Sequence, residues 1–171
     1  MTDRLRLWFT ASVALVTCAL LTWQQLHGGV PAHSFLSRDD MPSISNWWGA
    51  LSLPLFTWFA VGNTQRRVAL GRSSNRSAVM AAIGAAAFGT VLAVSYSLGY
   101  SEVPRLQVRL LPLLALALPI YRAEYLLGFV LALSYTFGGV LPIVIGSIFA
   151  LGGSVVHLAP RWLLRRFRVK H

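Results

Sequence analysis

Long apolar runs alternate with short polar segments along the chain, and this alternation predicts membrane-spanning helices. Three runs are clearly bounded: Leu7 to Leu26, Asn46 to Gly62 and Ala78 to Leu98. Each has roughly the 17–25 residues that a helix needs to cross a hydrocarbon core. A fourth apolar stretch, Leu106 to Leu158, has 53 residues, which is enough for two long helices or three short ones.

The polar segments differ in charge, and the difference predicts the orientation. Residues 27–45 hold one cation, Arg38, beside two acids, whereas residues 63–77 hold four arginines and no acid. Lys and Arg accumulate in the cytoplasmic loops of membrane proteins. Residues 27–45 are therefore predicted to form an outer loop, and residues 63–77 a basic cytoplasmic loop.

The basic tail, residues 159–171, decides how the fourth stretch is divided. Two more helices would place this tail outside, although it carries five cations. Three helices place it in the cytoplasm, and the predicted spans are Pro104 to Ile120, Ala123 to Phe137 and Val140 to Leu158. Twelve cations then lie inside and three outside, as the positive-inside rule requires. The later spans are short, and the one from Ala123 is short enough to be re-entrant.

The composition indicates the same class of protein. Charged residues make up 12% of the chain and hydrophobic residues 56%, whereas a soluble domain carries about 25% charged residues. The predicted fold is all-α: one integral membrane domain over residues 1–171, a polytopic bundle of about six transmembrane helices with both termini in the cytoplasm. The predicted location is a bacterial inner membrane. The net charge of +10 is interpreted as serving contact with anionic lipid headgroups at the cytoplasmic face, not binding of nucleic acid.

Small residues recur at every fourth position of the third span, and they predict a helix-packing face. They are Ala81, Ala85, Gly89, Ala93 and Ser97. Small side chains let the backbones of membrane helices approach closely, so we expect this helix at the centre of the bundle. The single cysteine, Cys18, lies in the first span and is expected to be a small buried residue.

Imidazole and carboxylate side chains are concentrated on the predicted outer side. The candidate catalytic residues are His33, Asp39, Asp40 and Glu102, and the candidate metal ligands are His27, His33, Asp39 and Asp40. Such groups suffice for a divalent-metal site or for acid/base chemistry. The two histidines match no strong metal-binding spacing, so we prefer a structural interpretation in which the aspartates and Ser45 cap helices. No metal or other cofactor is predicted.

Two further sites are candidates for binding. Asn46 precedes Trp47 and Trp48, and its amide could bind a lipid headgroup or a substrate carbonyl. The preferred alternative is a helix cap beside two interfacial tryptophans. Glu124 is an acid near membrane depth, where ionisable residues are functional candidates, but a structural turn paired with Arg122 explains it equally well.

The chain contains no phosphate-binding Gly-rich loop, nucleophile elbow or haem motif. The leading hypothesis is a non-enzymatic transport, channel-like or accessory membrane subunit. Its expected partners are membrane lipids, and other membrane subunits or a second copy of the chain. The alternative is a membrane-embedded enzyme, with a divalent metal, that acts on a lipid-like substrate at the outer face.

Overall fold

A computed structural model describes residues 3–27, 29, 32–34 and 43–168 of the chain. Within these residues there are six α-helices, so the all-α prediction is confirmed. The helices are α1 (Asp3–Leu26), α2 (Gly49–Ala69), α3 (Asn75–Ser97), α4 (Glu102–Ala117), α5 (Ala123–Phe137) and α6 (Val140–Arg168).

The division of the last apolar stretch into three helices is confirmed. Helix α5 has the predicted bounds, and it ends at Gly138, whose φ of +73° lies in the left-handed region that favours glycine. Helix α6 begins at Val140 as predicted. It continues as one helix to Arg168, through most of the segment that was predicted to be a separate tail.

The cytoplasmic loop predicted over residues 63–77 is shorter than expected. Helix α2 extends through Arg66 and Arg67 to Ala69, and α3 begins at Asn75. Cations in the last turn of a helix are favoured by its dipole, so the arginines do not end the helix. Gly71, with φ +67°, turns the chain, and the Ser74 hydroxyl caps α3 by accepting a hydrogen bond from the Ser77 N–H at 3.1 Å.

A short β-hairpin and a 3-10 turn connect α1 to α2. Strand β1 (Ala32–Ser34) pairs antiparallel with β2 (Ser43–Ser45), and the 3-10 turn covers Asn46–Trp48. The Ser45 hydroxyl caps this turn by accepting a hydrogen bond from the Trp47 N–H at 3.4 Å. The expectation that Asn46 caps α2 is wrong, because α2 starts only after Trp48 and Asn46 lies inside the turn with its side chain buried.

The helices run up and down, and the bundle has two distinct ends. We name the end with the β-hairpin and the α5–α6 turn the hairpin end, and the end where α2 leads into α3 the arginine end. Gly49 of α2 approaches Gly139 at the hairpin end, whereas Thr64 of α2 contacts Glu124 of α5 at the arginine end. Helices α2 and α5 are therefore antiparallel.

Helix α5, not α3, lies at the centre of the bundle. It packs against α3, α2 and α6, whereas α3 packs mainly against α5. The α3 and α5 helices are parallel, with Gly89 beside Ala132 and the rings of Tyr96 and Phe137 4.7 Å apart. The prediction that α3 lies at the centre was wrong. The close approach of α3 and α5 depends equally on a glycine of α5, Gly128, which lies against the α3 backbone.

Much of the apolar surface is exposed. Helices α1 and α3 are long and apolar enough to cross a membrane, and α5 and the first part of α6 are shorter apolar helices. Leu15 of α1 is 71% exposed and Met80 of α3 is 62% exposed. Cys18 is also exposed, contrary to expectation, because α1 packs mainly against one neighbour, α2.

Candidate functional site

The candidate residues of the predicted outer loop are not brought together among the described residues. Asp39 and Asp40 lie outside the described residues. His33 is in β1 opposite Ile44. His27 stacks on Trp23, with ring centroids 3.8 Å apart.

Glu102 is a surface residue at the start of α4. Its carboxylate accepts a hydrogen bond from the Arg105 guanidinium at 2.9 Å, and both side chains are largely exposed. Among the described residues, no group of three or more His, Cys, Asp or Glu side chains could hold a metal ion. Glu102 therefore forms a local ion pair with Arg105, which follows about one turn later in α4.

Asn46 borders a pocket of about 240 Å³ at the hairpin end, between α1, α2 and α5. Asn46 is 8% exposed, and its amide makes no hydrogen bond with the described residues. Gln24 of α1 lines the same pocket, and its Oε1 is buried without a hydrogen-bond partner among the described residues. Buried amide groups normally have such partners, so both amides keep hydrogen-bonding capacity that the described residues do not use.

The other walls of this Asn46 pocket combine hydroxyls with aliphatic side chains. Ser134 donates to the Leu131 carbonyl at 2.8 Å, and Thr17 donates to the Val13 carbonyl at 2.7 Å, so each hydroxyl oxygen can still accept. The aliphatic wall consists of Val16, Leu20, Leu21, Leu53 and Leu131. Among the described residues, no charged side chain lines the pocket.

Glycines of the α5–α6 turn fix the position of Asn46. A Cβ on Gly138 would overlap the Asn46 Oδ1, and a Cβ on Gly139 would lie 2.8 Å from the Gly49 Cα. The turn therefore packs directly on the start of α2, and larger residues would push Asn46 away. Trp47 and Trp48, which follow Asn46, are 50% and 61% exposed.

Glu124 is buried in the first turn of α5, at the arginine end. It is 3% exposed, and the Thr64 hydroxyl lies 3.4 Å from its Oε2 and 2.9 Å from the Ala60 carbonyl. The expected pairing with Arg122 is wrong, because no ion pair within 4.0 Å joins these two described residues. The Arg122 Nε is itself buried without a hydrogen-bond partner among them.

A larger cleft of about 470 Å³ lies between α3, α4, α5 and α6. Small residues of α3 form one wall, and Leu and Phe side chains of the other helices form the rest. Among its described lining residues, only Ser77 and Tyr125 have polar side chains. Met80 and Gly84 line the cleft and are exposed, so it opens sideways on the apolar surface of the bundle.

Polar groups surround the cleft where it reaches the arginine end. Arg76, exposed, adjoins Ser77 at the start of α3. His157 Nε2 lies 3.1 Å from the carbonyl oxygen of Leu118, and the His157 ring stands 5.6 Å from that of Tyr121. The cleft thus joins an apolar interior to an edge near which His157 and the exposed Arg76 lie.

The small-residue positions of α3 divide between packing and this cleft. Gly89 and Ala93 are buried, and an added Cβ on Gly89 would lie 3.0 Å from the Ala132 Cβ. Ala81 and Ala85 line the cleft, and Ser97 is exposed. One sequence pattern therefore serves helix packing at one end and cavity formation at the other.

Sequence reasoning missed the cleft and Gln24. The cleft is formed by four helices, and no pattern along one of them marks it. Gln24 is one of two adjacent glutamines at the end of an apolar run, a weak sign of a polar site, and only its partner helices distinguish it from Gln25. In comparisons with known proteins, no family model matches the chain, and neither a curated protein nor a solved structure matches it.

Proposed function

We propose that the protein is a multi-pass protein of the bacterial inner membrane that binds membrane lipid and acts as a non-enzymatic transport, channel-like or accessory subunit. The observation that carries the proposal is the 470 Å³ cleft, which opens on an apolar surface. Its volume is within the range of about 300–1,000 Å³ of ligand pockets. Its lining suits a hydrocarbon chain, because it offers dispersion contacts and almost no hydrogen-bonding groups.

A membrane location is supported by the exposed apolar side chains. In α1, α3 and α4, residues such as Leu15, Val91 and Leu113 are more than half exposed. Monomeric soluble proteins rarely expose contiguous apolar surface on this scale. In a bilayer the same side chains contact lipid tails, which removes the cost of hydrating them.

The charge distribution supports the orientation. Arg6, Arg67, Arg76 and Arg122 all lie toward the arginine end, which we assign to the cytoplasm. The hairpin end, with Trp47 and Trp48 exposed, then lies at the outer interface. The anionic headgroups of the cytoplasmic leaflet would meet Arg76 near the edge of the cleft while a lipid chain occupies its interior.

Lipid binding is tested by filling the cleft. Ala85 lines the cleft, whereas Ala87, two residues along the same helix, is exposed and does not. Native mass spectrometry of the purified protein, with phosphatidylglycerol added, should show one bound lipid in the wild type and in Ala87→Phe. Binding by Ala85→Phe should be weaker by about tenfold, as expected when a few methylene contacts are lost. Equal binding by both variants would overturn the assignment of the cleft.

The orientation is tested separately in intact cells. In a Cys18→Ser background, single cysteines at Ser34 and Ser74 are exposed to a membrane-impermeant thiol reagent. Ser34→Cys should be labelled and Ser74→Cys should be labelled only after permeabilisation. The reverse pattern would place the arginine end outside and contradict the proposal.

A further inference from the structure

The Asn46 pocket differs from the cleft in what it can bind. Its described lining comprises two primary amides, the hydroxyls of Thr17, Ser134 and Tyr135, and aliphatic side chains, with no Lys, Arg, His, Asp or Glu among the described residues. A charged guest would lose its hydration there without a counter-charge, which is costly. The described lining therefore favours a neutral guest.

The free polar atoms of the pocket specify the hydrogen bonds that a guest makes. Gln24 Oε1 is an acceptor without a donor among the described residues, so a guest that satisfies it supplies an O–H or N–H. The Asn46 amide, with no hydrogen bond to the described residues, offers both donors and an acceptor. A hydroxyl fits both partners, because it can donate to Gln24 and accept from Asn46.

The aliphatic wall indicates that this hydroxyl belongs to a lipid. Val16, Leu20 and Leu53 line the pocket together with the amides, so an apolar group attached to the hydroxyl is also buried. At about 240 Å³, the pocket is smaller than those of about 300–1,000 Å³ that hold whole drug-sized ligands. It has room for the polar part of a lipid and the start of its chains.

We propose that the Asn46 pocket binds the neutral, hydroxyl-bearing headgroup of a glycerolipid such as diacylglycerol. The inference rests on the proposed function only for the membrane location, since the pocket and the cleft are lined by different residues. The glycerol hydroxyl donates to Gln24 Oε1 and accepts from the Asn46 amide. The acyl chains leave along the aliphatic wall toward the bilayer.

The test uses the purified full-length protein and three neutral probes. They are 1,2-dioctanoylglycerol, its 3-O-methyl ether and free glycerol, and binding is measured by native mass spectrometry. The diacylglycerol should bind. The ether should bind about tenfold more weakly, because it leaves Gln24 Oε1 unsatisfied, and free glycerol should not compete because it lacks chains.

Gln24→Leu and Gln25→Leu form a matched pair of variants. Gln25 is the next residue of α1 and is exposed, so its variant should bind all probes as the wild type does. Gln24→Leu should bind diacylglycerol about tenfold more weakly and should no longer distinguish it from the ether. Equal binding of diacylglycerol and ether to the wild type, or equal binding by both variants, would overturn the proposal.

Failure of this proposal can be told from failure of the proposed function. Phosphatidylglycerol binding that is lost in Ala85→Phe concerns the cleft alone. If that binding is observed while diacylglycerol does not bind, the cleft assignment holds and the Asn46 pocket assignment is wrong. Competition by free glycerol at the affinity of diacylglycerol would overturn the lipid part, because the chains would then add nothing.

Discussion

Replacing Gly128 by alanine should separate α5 from α3 and destabilise the bundle. A Cβ on Gly128 would overlap the Ala82 carbonyl oxygen and lie 3.0 Å from the Ala86 backbone nitrogen. Both neighbours are backbone atoms of a helix, so no side chain can rotate to make room. The two helices have to move apart along their whole contact.

The size of the effect follows from two opposing terms. Alanine is favoured over glycine inside a helix by about 0.5–1 kcal/mol. Overpacking costs about 1–3 kcal/mol, and a gap of about 0.5–1 Å forfeits a quarter to a half of each dispersion contact along the interface. Gly84 provides the reference, because a Cβ there meets nothing within 4 Å. The propensity gain is the same in both variants, so Gly128→Ala should be less stable than Gly84→Ala by the overpacking cost, about 1–3 kcal/mol.

The assay is reversible unfolding in mixed micelles with increasing sodium dodecyl sulfate, followed by tryptophan fluorescence. Gly84→Ala should unfold at the wild-type detergent fraction or slightly above it. Gly128→Ala should unfold at a clearly lower fraction. If the two variants unfold together, the close approach of α3 and α5 is refuted, and with it the central position of α5.

Three further predictions use the same protein. Arg6 donates a hydrogen bond to a backbone carbonyl of α2 at 2.9 Å and lies 3.8 Å from a tryptophan ring. Arg6→Ala should therefore lower the free energy of unfolding by about 1.5–3 kcal/mol. Arg4 is exposed, and Arg4→Ala should change this free energy by less than about 0.5 kcal/mol. Glu124 has no ion-pair partner among the described residues, and a buried acid without such a partner stabilises less than an apolar residue of similar volume. Glu124→Met should therefore leave that free energy unchanged or raise it; a marked loss would contradict this. Metal analysis of the purified protein should find no stoichiometric divalent metal, in the wild type as in His33→Ala and Asp40→Ala; metal that is lost in these variants would favour the enzyme hypothesis.

The order of elements could be predicted from the sequence because charge and hydropathy act locally. The lengths of the apolar runs identified α1 and α3, and the basic tail required three helices after residue 104. The bounds of α5 followed from the polar turn at Arg122 and the two glycines after Phe137. The end of α2 was predicted too early, because arginines are favoured in the last turn of a helix and do not end it.

The candidate sites could be predicted only in part. Asn46 was selected from its neighbours in the chain, but its burial depends on Gly138, which lies in the distant α5–α6 turn. Glu124 was placed at an interfacial turn with Arg122, whereas the fold buries it against Thr64 of α2. The contacts of a polar side chain are decided by helices far along the chain, and no spacing along one helix records them.

The amino-acid sequence by itself determined an all-α chain of six helices, the alternation of basic and less basic connections, and the small residues of α3. Tertiary packing decided which helix is central, which small residues pack and which leave a cleft, and that Gln24 and Asn46 line one pocket. The physical reason is that hydropathy and charge act on each segment separately. Close approach of two helices depends on the surfaces of both. A glycine such as Gly128 allows it only where the backbone of another helix packs against that glycine.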